Sequence, residues 1–102
     1  MTRAEIFTAI DAERARQNEK HPVAFNSILD EEYDPCALVL EMQCATVKEQ
    51  NEHRQKWGRE SAYLNAREEF LEFFAETDKS SQLEEAIQNA ALWVRIIEEI
   101  TK

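Results

Sequence analysis

The stretch YLNAREEFLEFFAETDKSSQLEEAIQNAALWVRIIEEI, residues 63–100, decides the fold class. It contains no Gly or Pro and is built from strong helix formers, with apolar side chains returning every three or four positions. The spacing predicts a helix from about Ser61 to Thr77, with Ala62, Tyr63, Ala66, Phe70, Phe73 and Phe74 on one broad core stripe. Asp78-Lys79-Ser80 reads as the turn, and Ser81 with Glu84 has capping-box spacing to open a last helix running to the end. Two helices joined so tightly form an antiparallel hairpin. On the last helix Leu83, Ile87, Ala90, Val94 and Ile97 make the expected stripe, whereas Leu92 and Ile96 point roughly the other way beside Glu85. A small chain rarely buries both sides of such a helix alone, so a homodimer or larger even assembly is expected.

Working outward, Asp34-Pro35 reads as an N-cap followed by Pro at the first helical position, opening a helix to about Trp57 with Gly58 as its stop. Its first half is apolar (Leu38, Val39, Leu40, Met42, Val47) and its second half, Lys48 to Lys56, almost wholly polar. The first helix spans about Thr2 to Lys20, with Thr2 and Glu5 at capping-box spacing, Ile6, Ala9 and Ile10 on one side, and His21-Pro22 as its end. Between Val23 and Asp34 a short helical turn is expected, with Phe25, Ile28 and Leu29 inward and the acids Asp30 to Asp34 forming a solvated turn.

The whole is a single all-α domain over residues 1–102, a four-to-five-helix bundle, since this length supports one core. Twelve Lys plus Arg against twenty-one Asp plus Glu give a net charge of -9, which disfavours nucleic-acid and membrane partners. No apolar run approaches the roughly 20 residues that span a bilayer, and Met1 to Glu5 lacks the apolar core of a leader, so the expected setting is cytoplasmic. Cys36 and Cys44, about 12 Å apart along one helix, cannot pair, and His21 and His53 have no ligand spacing for zinc. Trp57, Tyr63 and Trp93 read as core rather than as platforms for a base.

Chemistry is concentrated in carboxylates. Glu69, Glu72 and Glu76 follow one another at three and four residues along one line, where like charges repel unless a cation lies among them. Glu85 and Gln88 repeat the three-residue spacing on the next helix. Facing helices offering oxygens at i and i+3 suit a hard divalent ion, magnesium or manganese. Spacing alone leaves both this site and an ordinary ion-paired helix face open.

The same stretch resembles MazG-like nucleoside triphosphate pyrophosphohydrolases, which carry E-E-x-x-E on one helix and E-x-x-D on the next. Glu68-Glu69-Phe70-Leu71-Glu72 matches the first motif and Glu85-Ala86-Ile87-Gln88 occupies the second. Glu13 to Lys20 is similar to the opening of a phage, mobile-element and actinobacterial subgroup. The resemblance implies hydrolysis of a nucleoside triphosphate to the monophosphate and pyrophosphate, a nucleotide-pool house-cleaning reaction. It also implies that Glu69, Glu72 and Glu85 hold Mg2+ with Gln88 at the fourth place, that Glu68 is a supporting catalytic carboxylate, and that Arg14, Arg16 and Lys20 meet phosphate. Gln88 departs from the motif: its neutral carbonyl leaves three charged ligands and a weaker hold on the ion. A non-catalytic helical oligomerisation or protein-interaction module on the same fold is the alternative.

Overall fold

The computed structural model describes residues 1–25 and 27–102. Among them four α-helices follow in order, α1 Arg3–Lys20, α2 Ala37–Lys56, α3 Ala62–Ala75 and α4 Lys79–Ile100, with no strand. The chain is all-helical, and none of these helices is long and apolar enough to cross a membrane.

Local chemistry sets the helix ends. Thr2 closes the capping box at α1: the Glu5 N–H donates to its hydroxyl at 3.2 Å and its own N–H donates to Glu5 Oε1 at 2.8 Å. At the far end of α2, Gly58 adopts φ +66 and the Arg59 N–H reaches back to the Arg54 carbonyl at 2.8 Å, a left-handed stop that suits glycine. Ser61 caps α3 through the Leu64 N–H.

Two starts differ from expectation. α2 opens after Cys36, not at Asp34-Pro35, because Asp34 is spent locally: its carboxylate accepts from the Asp30 N–H at 2.8 Å and its N–H donates to the Asp30 carbonyl. α4 opens at Lys79, with Asp78 as the cap accepting from the Ser81 N–H, instead of at Ser81. A carboxylate is the stronger cap there because its charge also meets the positive end of the helix.

The core is a seam between α2 and α3. Leu40, Cys44 and Val47, at alternating four- and three-residue steps, pack with Leu64 and Leu71, which are seven apart on α3. The seam continues polar at Asn51, only 2% exposed, whose Nδ2 donates to Asn65 Oδ1 at 2.6 Å. Leu29, Phe74 and Ala75 close the edge. The anticipated α3 stripe is therefore rotated: Tyr63 and Phe70 face outward while Leu64 and Leu71 take the core. Helix α3 serves two neighbours, α2 and α4, so the helix it meets, not the width of its aromatic stripe, selects the buried face. Leu38, Val39 and Met42 stay exposed for the same reason.

Between α1 and α2 the described residues form turns and bends without a helix, and Val23, Phe25 and Ile28 are exposed, leaving only Leu29 partly covered. The expected helical turn there includes Asn26, which lies outside the described residues. Helix α1 meets only α4 among the helices, burying Ile6 and pairing Arg3 with Glu98 at 3.4 Å.

Candidate metal site

Glu69 and Glu72 occupy successive turns of α3, and Glu85 stands on α4 where the helices meet. One carboxylate oxygen from each lies within 4.8 Å of the others. The helices are tied behind this cluster by Asn89, whose Nδ2 donates to the carbonyls of both Glu69 and Glu85 at 2.8 Å. Asn89 follows Glu85 by one turn and shares its face, so the same helical geometry that aims the carboxylate places the amide. In front, a cavity of about 330 Å³ is lined by Glu41, Cys44, Lys48, Glu72, Glu76 and Glu85, together with Ala45 and Ala75.

The cluster is electrostatically undersupplied. Lys48 Nζ lies 3.2 Å from Glu72 Oε1, and this pairing raises the lysine pKa above its ordinary value. One oxygen on each of the other two carboxylates, Glu69 Oε2 and Glu85 Oε2, is buried without a hydrogen-bond partner. Burial, reinforced by Glu72 and Glu68, pushes the Glu69 carboxyl upward. Burial, then a hydrogen bond shared with Glu72 and the Glu72 charge, push Glu85 up to about 7. Glu68 is raised first by burial and then by Glu72, and burial also raises the Cys44 thiol. Such shifts mark groups that protonate or acquire a counter-ion when brought together. Oxygens on opposite sides of one hard cation stand about 4–5 Å apart at bond lengths near 2.0–2.6 Å, so the spacing fits a divalent ion.

Other anticipated residues lie elsewhere. Gln88 is exposed and does not line the cavity; the amide of that turn that reaches α3 is Asn89. Arg14, Arg16 and Lys20 are exposed on α1, Arg14 bonding Gln17 and Asn18 and Arg16 pairing with Glu13, and none lines the carboxylate cavity. Trp57, Tyr63 and Trp93 are exposed rather than core. Lys48 and Asn89 were not anticipated from sequence, although Asn89 shares the Glu85 face and Lys48 lies one turn beyond Cys44.

No family model, curated protein or solved structure matches the chain. The site therefore rests on its own geometry.

Raised carboxylate pKa values have a definite consequence for metal-free protein. A folded-state pKa near 7 against an ordinary 4.5 means that the fold holds a proton the unfolded chain releases, so the Glu85 contribution is most favourable below pH 4.5 and declines until about pH 7. In metal-free buffer at pH 8, Glu85→Gln should be more stable than the parent by on the order of 1 kcal/mol after solvent screening, or about 4–8 °C. Thermal melts should converge at pH 4.5; equal melts at pH 8 would contradict burial as the cause.

Proposed function

We infer that the Glu69, Glu72 and Glu85 carboxylates hold a divalent cation, magnesium or manganese, in a MazG-like bundle with an antiparallel α3–α4 hairpin. On this reading the chain hydrolyses nucleoside triphosphates to monophosphates and pyrophosphate. The observation that carries it is the convergence of three carboxylates within 4.8 Å, two of them with a buried oxygen lacking any partner. The motif spacing at Glu68-Glu69-x-x-Glu72 and Glu85 adds the reaction class by resemblance.

A cation bound there would neutralise phosphate charge and acidify a water molecule. The chain's own groups would do the positioning. Asn89 holds the two helices at the spacing the ligands need. Lys48, at the cavity wall, is better placed to meet a phosphate oxygen than Arg14, Arg16 or Lys20. Glu68, half-buried one residue before Glu69, is a supporting carboxylate. With Gln88 exposed, the ion would rest on three charged ligands and bind less tightly than in a four-carboxylate site.

A second reading, a non-catalytic interaction module, is favoured by the apolar side chains exposed on α1 and α4. One experiment separates them: pyrophosphate release from a panel of ribo- and deoxynucleoside triphosphates with magnesium, manganese or chelator, beside thermal melts in the same buffers. Metal-dependent release from at least one nucleotide is expected, with a metal-induced rise in melting temperature. A rise without release would leave a cation-binding module; neither response would remove the metal site itself.

A further inference from the structure

A single cation faces the acids of the α3–α4 cluster. Among the described residues lining the cavity of about 330 Å³, Glu41, Glu72, Glu76 and Glu85 are acids and Lys48 alone is basic. Its Nζ lies 3.2 Å from Glu72 Oε1, so an oxygen of one ligand in the triad is already engaged. The two partners differ in freedom. The Glu72 side chain is 18% exposed, whereas that of Lys48 is 53% exposed and ends a flexible four-carbon stem. The lysine is therefore the half of the pair that can leave.

Its hold is also the weaker one. With more than half of the lysine side chain in water, the pair is screened and readily exchanged. A divalent cation among Glu69, Glu72 and Glu85 would attract the same carboxylate with twice the charge and repel the ammonium. Displaced from Glu72, that ammonium remains tethered at the cavity wall and requires another anion. An anion entering by itself would meet four carboxylates, and a cation entering by itself must expel Lys48. Entering together, each removes the obstacle to the other.

We propose that Lys48 is an exchangeable counter-ion that makes this cavity a site for a divalent cation and a phosphate group taken together. The ion takes Glu72 from Lys48, and the freed ammonium takes an oxygen of the phosphate. The inference rests on the cation reading of the cluster and adds the coupling between the two ligands. That coupling is reciprocal, so phosphate tightens the ion by the same factor as the ion tightens phosphate. Neither a permanent Lys48–Glu72 pair nor a permanent phosphate contact at Lys48 would produce it.

Mn2+ binding by the full chain can be read from the loss of the free-ion electron paramagnetic resonance signal. The titration is run with and without methyl phosphate, which presents one phosphate group and no chelating chain. Without the anion, Lys48→Met should bind Mn2+ about tenfold more tightly than the parent, because a competing charge is gone. A lysine that merely supports the site would give the reverse. Lys48→Arg, which keeps the charge, should bind the ion as weakly as the parent. Saturating methyl phosphate should then tighten Mn2+ about tenfold more in the parent than in Lys48→Met. Direct coordination of the phosphate to the ion is common to both proteins and cancels in that ratio. Equal Mn2+ affinity of parent and Lys48→Met without the anion, or equal gains from methyl phosphate, would overturn the exchange while leaving the cation site standing. Failure of all three proteins to bind Mn2+ would remove the cation site itself, and the exchange with it.

Discussion

Pyrophosphate release by Glu72→Gln is expected to fall at least about 100-fold below the parent at equal magnesium, with the fold retained. Glu72 is the hinge of the cluster: it is paired with Lys48 at 3.2 Å, belongs to the triad within 4.8 Å, and raises the pKa of both Glu69 and Glu85. Glutamine fills nearly the same volume, so loss of activity would follow from loss of charge and not from a hole. The substitution also frees Lys48, whose ammonium would then stand uncompensated beside the two remaining carboxylates and compete with a divalent ion. A magnesium titration should therefore move to higher concentration along with the loss of rate. Unchanged release at saturating magnesium would remove Glu72 from the ligand set, and with it the reading of the α3–α4 cluster as the reaction centre.

Leu71→Ala should cost about 2–5 kcal/mol, the range for emptying a packed leucine site. Leu71 is 5% exposed and lies in the same cluster as Leu40, Cys44 and Val47, so little nearby can collapse to fill the void. For a small domain with about 5–15 kcal/mol in total this is a large fraction of the margin, visible as a lowered urea midpoint. The neighbouring Phe70→Ala should cost only about 1 kcal/mol, because that ring is 54% exposed and chiefly touches Phe74, at 4.7 Å between centroids. The opposite ranking would show that the aromatic stripe, and not the leucine seam, holds α3 in place.

That pair of residues also marks what was legible in the sequence. Helix identity and several ends were readable because they are local: Thr2 meets Glu5 three residues away, and Gly58 supplies its own left-handed turn. Which face α3 buries was not, since Phe70 and Leu71 are equally apolar and only the position of α2 distinguishes them. The carboxylates were recognisable as candidates from the three-residue step between Glu69 and Glu72 together with Glu85 across the turn. Their true neighbours were not, because Lys48 arrives from α2, outside the α3–α4 pair that carries the carboxylates. The one-residue difference between Gln88 and Asn89 depends on the rotation of α4 against α3, to which a spacing motif is blind. The start of α2 was misplaced because Asp34 satisfies two equally local patterns, a cap or a closed turn, and the structure uses the turn.

The bond between buried Asn51 and half-buried Asn65 has a bearing on the carboxylates some turns away. An all-leucine seam would tolerate α2 sliding by one turn along α3, exchanging one apolar neighbour for another at little cost. Shifted by such a slip, Asn51 would lose Asn65 and leave its amide against hydrocarbon, a penalty of the kind that fixes register in helical pairs. A one-turn slip, about 5.4 Å along the axis, would also carry Lys48 out of reach of Glu72. The amides thus act as an address label, selecting the one alignment of the two helices in which the ammonium and the carboxylate meet.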